Sequence, residues 1–150
     1  TITLRHVTVN CKTNPGGVLV ISTTTDATGY YEFFVPNGNY FLDAVTTKLW
    51  GGANVLDVAQ LKAKVLTATP LPYENALRLS AGDVNLIGGL NVLDVALLKS
   101  RVLGGTPSGY TASDWLFENP ILTINNADFS QNFHGICSGD VNGSYPNPIP

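Results

Sequence analysis

Residues Trp50–Leu66, WGGANVLDVAQLKAKVL, and Ile87–Leu103, IGGLNVLDVALLKSRVL, are two copies of one segment, identical at 12 of 17 positions at an offset of 37. Such a repeat limits the fold strongly, because a unit this small buries its apolar face best against its own twin. Each copy reads as a Gly-Gly turn, an Asn, an Asp and then a helix. Val58, Leu61 and Val65 in the first copy match Val95, Leu98 and Val102 in the second. Their i, i+3, i+7 spacing makes one apolar stripe per helix, so the two helices are expected to pack on each other. Lys62, Lys64, Lys99 and Arg101 fall near the C-terminal ends, where cations suit the helix dipole.

The flanks read as strands. Thr1–Val9, Val18–Thr25, Tyr30–Val35 and Tyr40–Val45 are rich in β-branched and aromatic residues, with turn residues at 14–17, 26–29 and 36–38 between them. After a Pro/Gly/Ser linker at Thr106–Thr111, strand character returns at Asp114–Glu118, Ile121–Asn125 and Phe129–Gly135, with Asn125-Asn126 as a hairpin turn. The expected class is α+β: an Ig-like or prealbumin-like β-sandwich with the helical repeat pair inserted between early and late strands. The expected boundaries are 1–45 for the early strands, 46–104 for the repeat pair, 105–137 for the late strands and 138–150 for a loop tail. Alternatively, the early strands stay incomplete and borrow a strand from a neighbouring copy.

Composition narrows the classes. The chain is 44% hydrophobic but 13% charged, with fifteen Thr, fourteen Asn and fifteen Gly. That balance argues against disorder and for β-structure with turns. A net charge of -3 without a Lys/Arg cluster disfavours nucleic acid. No apolar run reaches the length of a membrane span. Met is absent, so a processed product or a fragment is expected. Cys11 and Cys137 lie outside any metal-binding spacing. They either pair in an oxidising compartment or stay as two buried thiols.

The chemistry gathers at the second copy. Asp83, Asn85, Asn91 and Asp94 hold positions 1, 3, 9 and 12 of a calcium loop of the EF-hand kind, Gly88 holds position 6, and Gly89 offers its carbonyl at position 7. Ile87 at position 5 has only a backbone carbonyl to give. Calcium needs six to eight oxygens, so the candidate ligands are Asp83, Asn85, Ile87, Gly89, Asn91 and Asp94. The other reading is a capped helix behind a glycine turn. The first copy keeps only Asn54 and Asp57, because Thr46, Lys48 and Trp50 stand at its positions 1, 3 and 5. The sequence Gly139-Asp140-Val-Asn142-Gly-Ser144 supplies a loose half-loop that no helix follows. Asp140, Asn142 and Ser144 are therefore candidates to join Asn54 and Asp57 in a split second site. Otherwise they form a surface Asx turn.

The segment GDVNLIGGLNVLDVALLKSRVLG, Gly82 to Gly104, resembles the dockerin repeat, a calcium loop followed by a short helix. The resemblance covers about residues 46–104 and implies calcium binding and docking on a cohesin-like partner outside the cell. Asp26, Gly29, Tyr31, Phe33, Pro36, Gly38 and Tyr40 resemble the carboxypeptidase-regulatory or CnaB-type sandwich, whose members are mostly spacers of exported proteins. The order of parts is similar to C-terminal regions of secreted Bacteroidetes-type surface proteins. CnaB-type domains also include members with Lys–Asn isopeptide bonds, for which Lys12, Asn132 and Glu32 are the residue types present.

Catalytic signals are sparse. His6 and His134 are the two histidines, and no nucleophile elbow, zinc-protease motif or phosphate loop occurs. Trp50, Trp115 and the tyrosines read as packing residues before they read as a carbohydrate platform. Asn142-Gly-Ser144 fits a glycosylation sequon, and Ser22–Thr25 offers hydroxyls for O-glycans. Two expectations follow. One is a non-enzymatic, calcium-stabilised building block of an extracellular fibre or surface assembly, self-associating through strand or helix surfaces. The other is a dockerin-type module that anchors a parent enzyme or adhesin to a receptor.

Overall fold

Val7, Val9 and Cys11 alternate with polar neighbours, and this period of two sets the first sheet. The structure, a computed structural model, describes residues 3–145. Its described elements are β1 (Thr8–Thr13), β2 (Leu19–Thr24), β3 (Gly38–Val45), α1 (Val55–Thr67), α2 (Ala76–Gly82), α3 (Val92–Gly104), β4 (Trp115–Phe117), β5 (Ile121–Ile124) and β6 (Gly135–Cys137). The chain is thus α+β. It divides into two units, Thr1–Lys48 with Phe117–Gly135, and Leu49–Leu116 with Ile136–Pro150.

The first unit carries an antiparallel sheet in the order β2-β1-β3-β5. Cys11 pairs with Leu42 and Tyr40 with Leu122, so one face gathers Val9, Cys11, Tyr40, Leu42 and Leu122. Tyr31, Phe33, Val35 and Phe133 pack on that face, with Tyr31 edge-on to Phe133 at 5.8 Å. The opposite face mixes Asn10, Lys12 and Asp43 with Phe41, Val45 and Ile121. There Asn10 Nδ2 donates to Asp43 Oδ1 at 2.8 Å, Ser22 Oγ donates to Asn10 Oδ1 at 2.6 Å, and Lys12 pairs with Asp43.

Several expected elements shift. The first strand runs over Thr8–Thr13 rather than 1–9, and residues 1 and 2 lie outside the described residues. Residues 30–35 form no regular strand, yet they keep the alternation, with Tyr31, Phe33 and Val35 turned inward. Residues 129–134 likewise have no ladder, so no hairpin forms at Asn126, whose backbone N–H donates to Asn37 Oδ1 at 2.8 Å. β5 pairs with β3 instead.

The second unit is built on the repeat. Leu61 and Leu98, the same position in each copy, are fully buried in a cluster that also holds Leu71, Val84, Leu97, Tyr110, Ala112 and Val141. Val58, Val65, Val95 and Val102 pack around them, and α1 and α3 contact each other along this stripe. Arg101 is buried between two rings, 4.1 Å from the Trp50 centroid and 4.4 Å from that of Tyr110, and its guanidinium pairs with Asp114 at 2.5 Å. The expected domain limits move accordingly. Residues 105–116 and 136–145 belong with the helices, and only 117–135 of the late segment belong with the sheet. The described part of the expected tail is packed, with Ser138, Asp140 and Val141 buried; its residues 146–150 lie outside the described residues. β4 and β6 pair with each other.

Candidate cation sites at two helix heads

Each repeat helix begins in the same way. Asn91 Oδ1 accepts from Leu93 N at 2.8 Å, and Asp94 Oδ2 accepts from Asn91 N at 2.9 Å. Asn54 and Asp57 repeat this at 2.8 and 2.9 Å. The pair forms a reciprocal cap that satisfies N–H groups no helix can satisfy internally.

Ahead of α3 the chain wraps onto this cap. Asp94 Oδ1 accepts from Val84 N and Asn85 N at 3.0 and 3.2 Å. Asn85 Oδ1 accepts from Ile87 N at 2.8 Å, and Leu86, Gly88 and Gly89 curl the loop with positive φ. The curl brings the Ile87 and Gly89 carbonyls together on one donor, Asn91 Nδ2, at 3.1 and 2.8 Å. Asp83 Oδ1 is shut off from solvent and has no hydrogen-bond partner. Thr111 closes the outside of the loop, its Oγ1 donating to Asn85 O at 2.7 Å and its N–H to Val84 O at 2.9 Å.

Ahead of α1 the same work falls to a remote segment. Gly139-Asp140-Val141-Asn142 repeats the sequence of Gly82-Asp83-Val84-Asn85. Both stretches close the same short turn, Val141 N donating to Gly139 O at 3.0 Å as Val84 N does to Gly82 O at 3.0 Å, although Gly139 has φ +85 and Gly82 ends α2. Asn142 N donates to Asp57 Oδ1 at 3.1 Å, the counterpart of Asn85 N on Asp94. Asp140 Oδ1 accepts from Ser144 N at 2.8 Å and Oδ2 from Tyr145 N at 2.9 Å. Asn54 Nδ2 and Ser144 Oγ both donate to Gly52 O, at 3.0 and 3.2 Å. Asn142 Oδ1 is buried without a partner, as Asp83 Oδ1 is. The two half-loops are bridged by Gly139 N donating to Ala81 O at 2.7 Å.

The structure therefore gathers all eleven residues named from the sequence into two places, six ahead of α3 and five ahead of α1. The electrostatics of the two places match. Burial pushes the Asp94 carboxyl above the usual range and the charge of Asp83 adds to this, while N–H donors from Asn91, Asn85 and Val84 oppose it. Burial likewise raises Asp57, with the charge of Asp140 adding and the N–H groups of Asn54 and Asn142 opposing. The ion pairs Lys12–Asp43, Lys64–Glu74 and Arg101–Asp114 engage other acids. Among the described residues no three His, Cys, Asp or Glu side chains gather. Each place instead joins two carboxylates to amide and backbone oxygens, a donor set suited to a hard cation.

Three contributors escaped the sequence reading. Gly52 has φ +83, and a Cβ there would stand 2.5 Å from Asp140 Oδ2. Arg78 Nη1 donates to Val141 O at 2.9 Å and holds the returning segment. Thr111 buttresses the intact loop. The repeated Gly-Gly signalled the first; nothing local signalled the other two. Both cysteines are free and buried, the second of the two alternatives, and burial pushes Cys137 up to about 12. Trp50 Nε1 donates to Ser138 O at 2.7 Å, and Trp115 stacks edge-on with Tyr145 at 4.7 Å, so both indoles serve packing. Lys12 of the expected isopeptide trio pairs with Asp43. No described helix is long and apolar enough to cross a membrane. Comparison with protein-family models, with curated proteins and with solved structures returns no match.

Proposed function

We propose that this chain is a non-enzymatic, calcium-stabilised structural module of an extracellular assembly. The observation that carries the reading is Asp83 Oδ1, buried and unpartnered beside the desolvated Asp94 carboxylate. An orphaned anionic oxygen in such a place calls for a cation. Asp83, Asn85, Asp94 and the carbonyls of Ile87 and Gly89 would hold calcium, with Asn91 at the helix cap. Asn91 Nδ2 rests on those two carbonyls, so an entering ion displaces that amide from them. Calcium would supply the positive charge that favours the ionised form of Asp94, which burial disfavours. The resemblance to dockerin repeats supports the same ion.

Assembly into a fibre or surface layer is the favoured role. Leu19 and Val20 at the start of β2, an outer strand of its sheet, are exposed, as is Val18 just before it. An apolar outer strand is a template for pairing with a second copy. A second reading, a docking module that anchors a larger protein, is supported by exposed apolar pairs at one repeat position, Val55 with Leu56 and Val92 with Leu93. Electron microscopy of the purified chain, in calcium and in chelator, separates the two. Calcium-dependent polymers that Val20→Lys abolishes support the fibre. Monomers under both conditions overturn it and leave the docking reading.

A further inference from the structure

We infer that the head of α1 is a second divalent-cation site, split between the first repeat and the returning segment 139–144. Its donors are all oxygen: the carboxylates of Asp57 and Asp140, the amide oxygen of Asn142, the hydroxyl of Ser144 and the carbonyl of Gly52. Asp57 and Asp140 are fully buried and belong to different stretches of chain. Asn142 N reaches Asp57 Oδ1 at 3.1 Å, and Ser144 Oγ reaches both Gly52 O at 3.2 Å and Asp140 Oδ1 at 3.4 Å.

One further observation points to a ligand rather than to a surface turn. Asn142 Oδ1 has no access to solvent and no hydrogen-bond partner, although its own N–H is engaged. A buried amide oxygen left without a donor is uncommon, and a coordinated ion answers it. The bare Cα of Gly52 lets the returning segment seat tightly against the first repeat. A Cβ there would lie 2.5 Å from the Asp140 carboxylate and 2.8 Å from Tyr145 Cα. The cation is a hard one, because no nitrogen or sulfur ligand stands among the donors. The inference shares its chemistry with the reading of the Asp83–Asp94 loop, yet it stands on different residues.

Calcium titration of the chelator-treated chain, with stoichiometry from equilibrium dialysis, tests it. The wild type is expected to bind two ions, and Asp140→Asn, Asn142→Ala and Asp83→Asn one each. Circular dichroism checks that each variant folds. If Asp140→Asn fails to fold, Asn142→Ala carries the test, since the oxygen it removes bonds nothing in the ion-free chain. A wild type that binds one ion, lost in Asp83→Asn and kept in Asn142→Ala, overturns the split site and leaves the intact loop standing. A single ion lost in Asn142→Ala and kept in Asp83→Asn upholds the split site and overturns the intact loop. A wild type that binds none overturns both.

Discussion

The loop ahead of α3 is one unbroken stretch, with Asn85 N reaching Asp94 nine residues on. Ahead of α1 the same bond joins Asn142 to Asp57 across 85 residues. The two ends are nevertheless built alike, down to the bond lengths of the cap. Each Asn/Asp pair at a helix head presents one free carboxylate oxygen, and an Asp-x-Asn segment docks there whatever its route. For a flexible chain, closing the longer loop costs about 2 kcal/mol more. Other contacts along the way reduce that figure: Trp50 Nε1 donates to Ser138 O at 2.7 Å, and Arg78 Nη1 to Val141 O at 2.9 Å. Local chemistry is thus conserved between the copies while connectivity is not.

Equivalent substitutions in the two copies should break this likeness where the surroundings differ. The largest contrast is expected at the repeated glycine. Gly52→Ala forces a left-handed alanine against Asp140 and Tyr145 and should cost about 3 kcal/mol. Gly89→Ala meets nothing within 4 Å and should cost about 1 kcal/mol, for its backbone strain alone. Urea denaturation of both variants measures the difference; equal losses would mean that the returning segment is not seated at Gly52.

A smaller contrast is expected at the basic position of the last helical turn. Arg101→Lys gives up planar stacking between Trp50 and Tyr110 and should lose about 1–2 kcal/mol. Lys64→Arg changes only a partly exposed pair with Glu74 and should stay within about 0.5 kcal/mol of the parent. Thermal melts of the two variants side by side check this.

The smallest effect, and the one that treats both copies together, is a slope against pH. Burial raises Asp57 and Asp94 in the folded chain. The folded state therefore holds protons that the unfolded state has released. In chelator, this contribution to stability is full below the ordinary aspartate pKa and is lost as pH rises through the raised folded values. In calcium the bound ion favours the ionised carboxylates, so the slope should reverse and stability should fall towards acid. Melting temperatures across mildly acidic pH, with and without calcium, read the sign. A falling slope in both conditions would speak against an ion at either place.

Much of the helical unit was legible in the sequence, since the offset of 37 fixes which residues cap and which pack. Asn54 and Asn91 cap their helices as the repeat implies, and Leu61 and Leu98 are buried together. The return of Asp140 and Asn142 was legible only as a surplus of ligands at one end and a deficit at the other. The short helix α2 was missed because Leu77, Leu79 and Ala81 alternate as a strand does, while its cap, Asn75, resembles any turn residue. In the sheet unit, alternation told inward from outward but not which segments find a ladder. Cys11 is an inward residue of β1 that continues the alternation of Val7 and Val9, so the strand runs past the expected end at Val9. Residues 30–35 bury the expected aromatic side chains without backbone pairing, which depends on a partner strand that no single segment specifies.

The seating of residues 139–144 on α1 also orders events in time. A ribosome delivers α1 and its cap long before it delivers Asp140, and the sheet waits in the same way for β5 to reach β3. Both units therefore close only once these distant segments have emerged, and such long-range closures make for slow folding. Until the distal stretches arrive, the head of α1 and the β5 side of β3 stand uncovered, so each unit is sealed by its last segment rather than by its first.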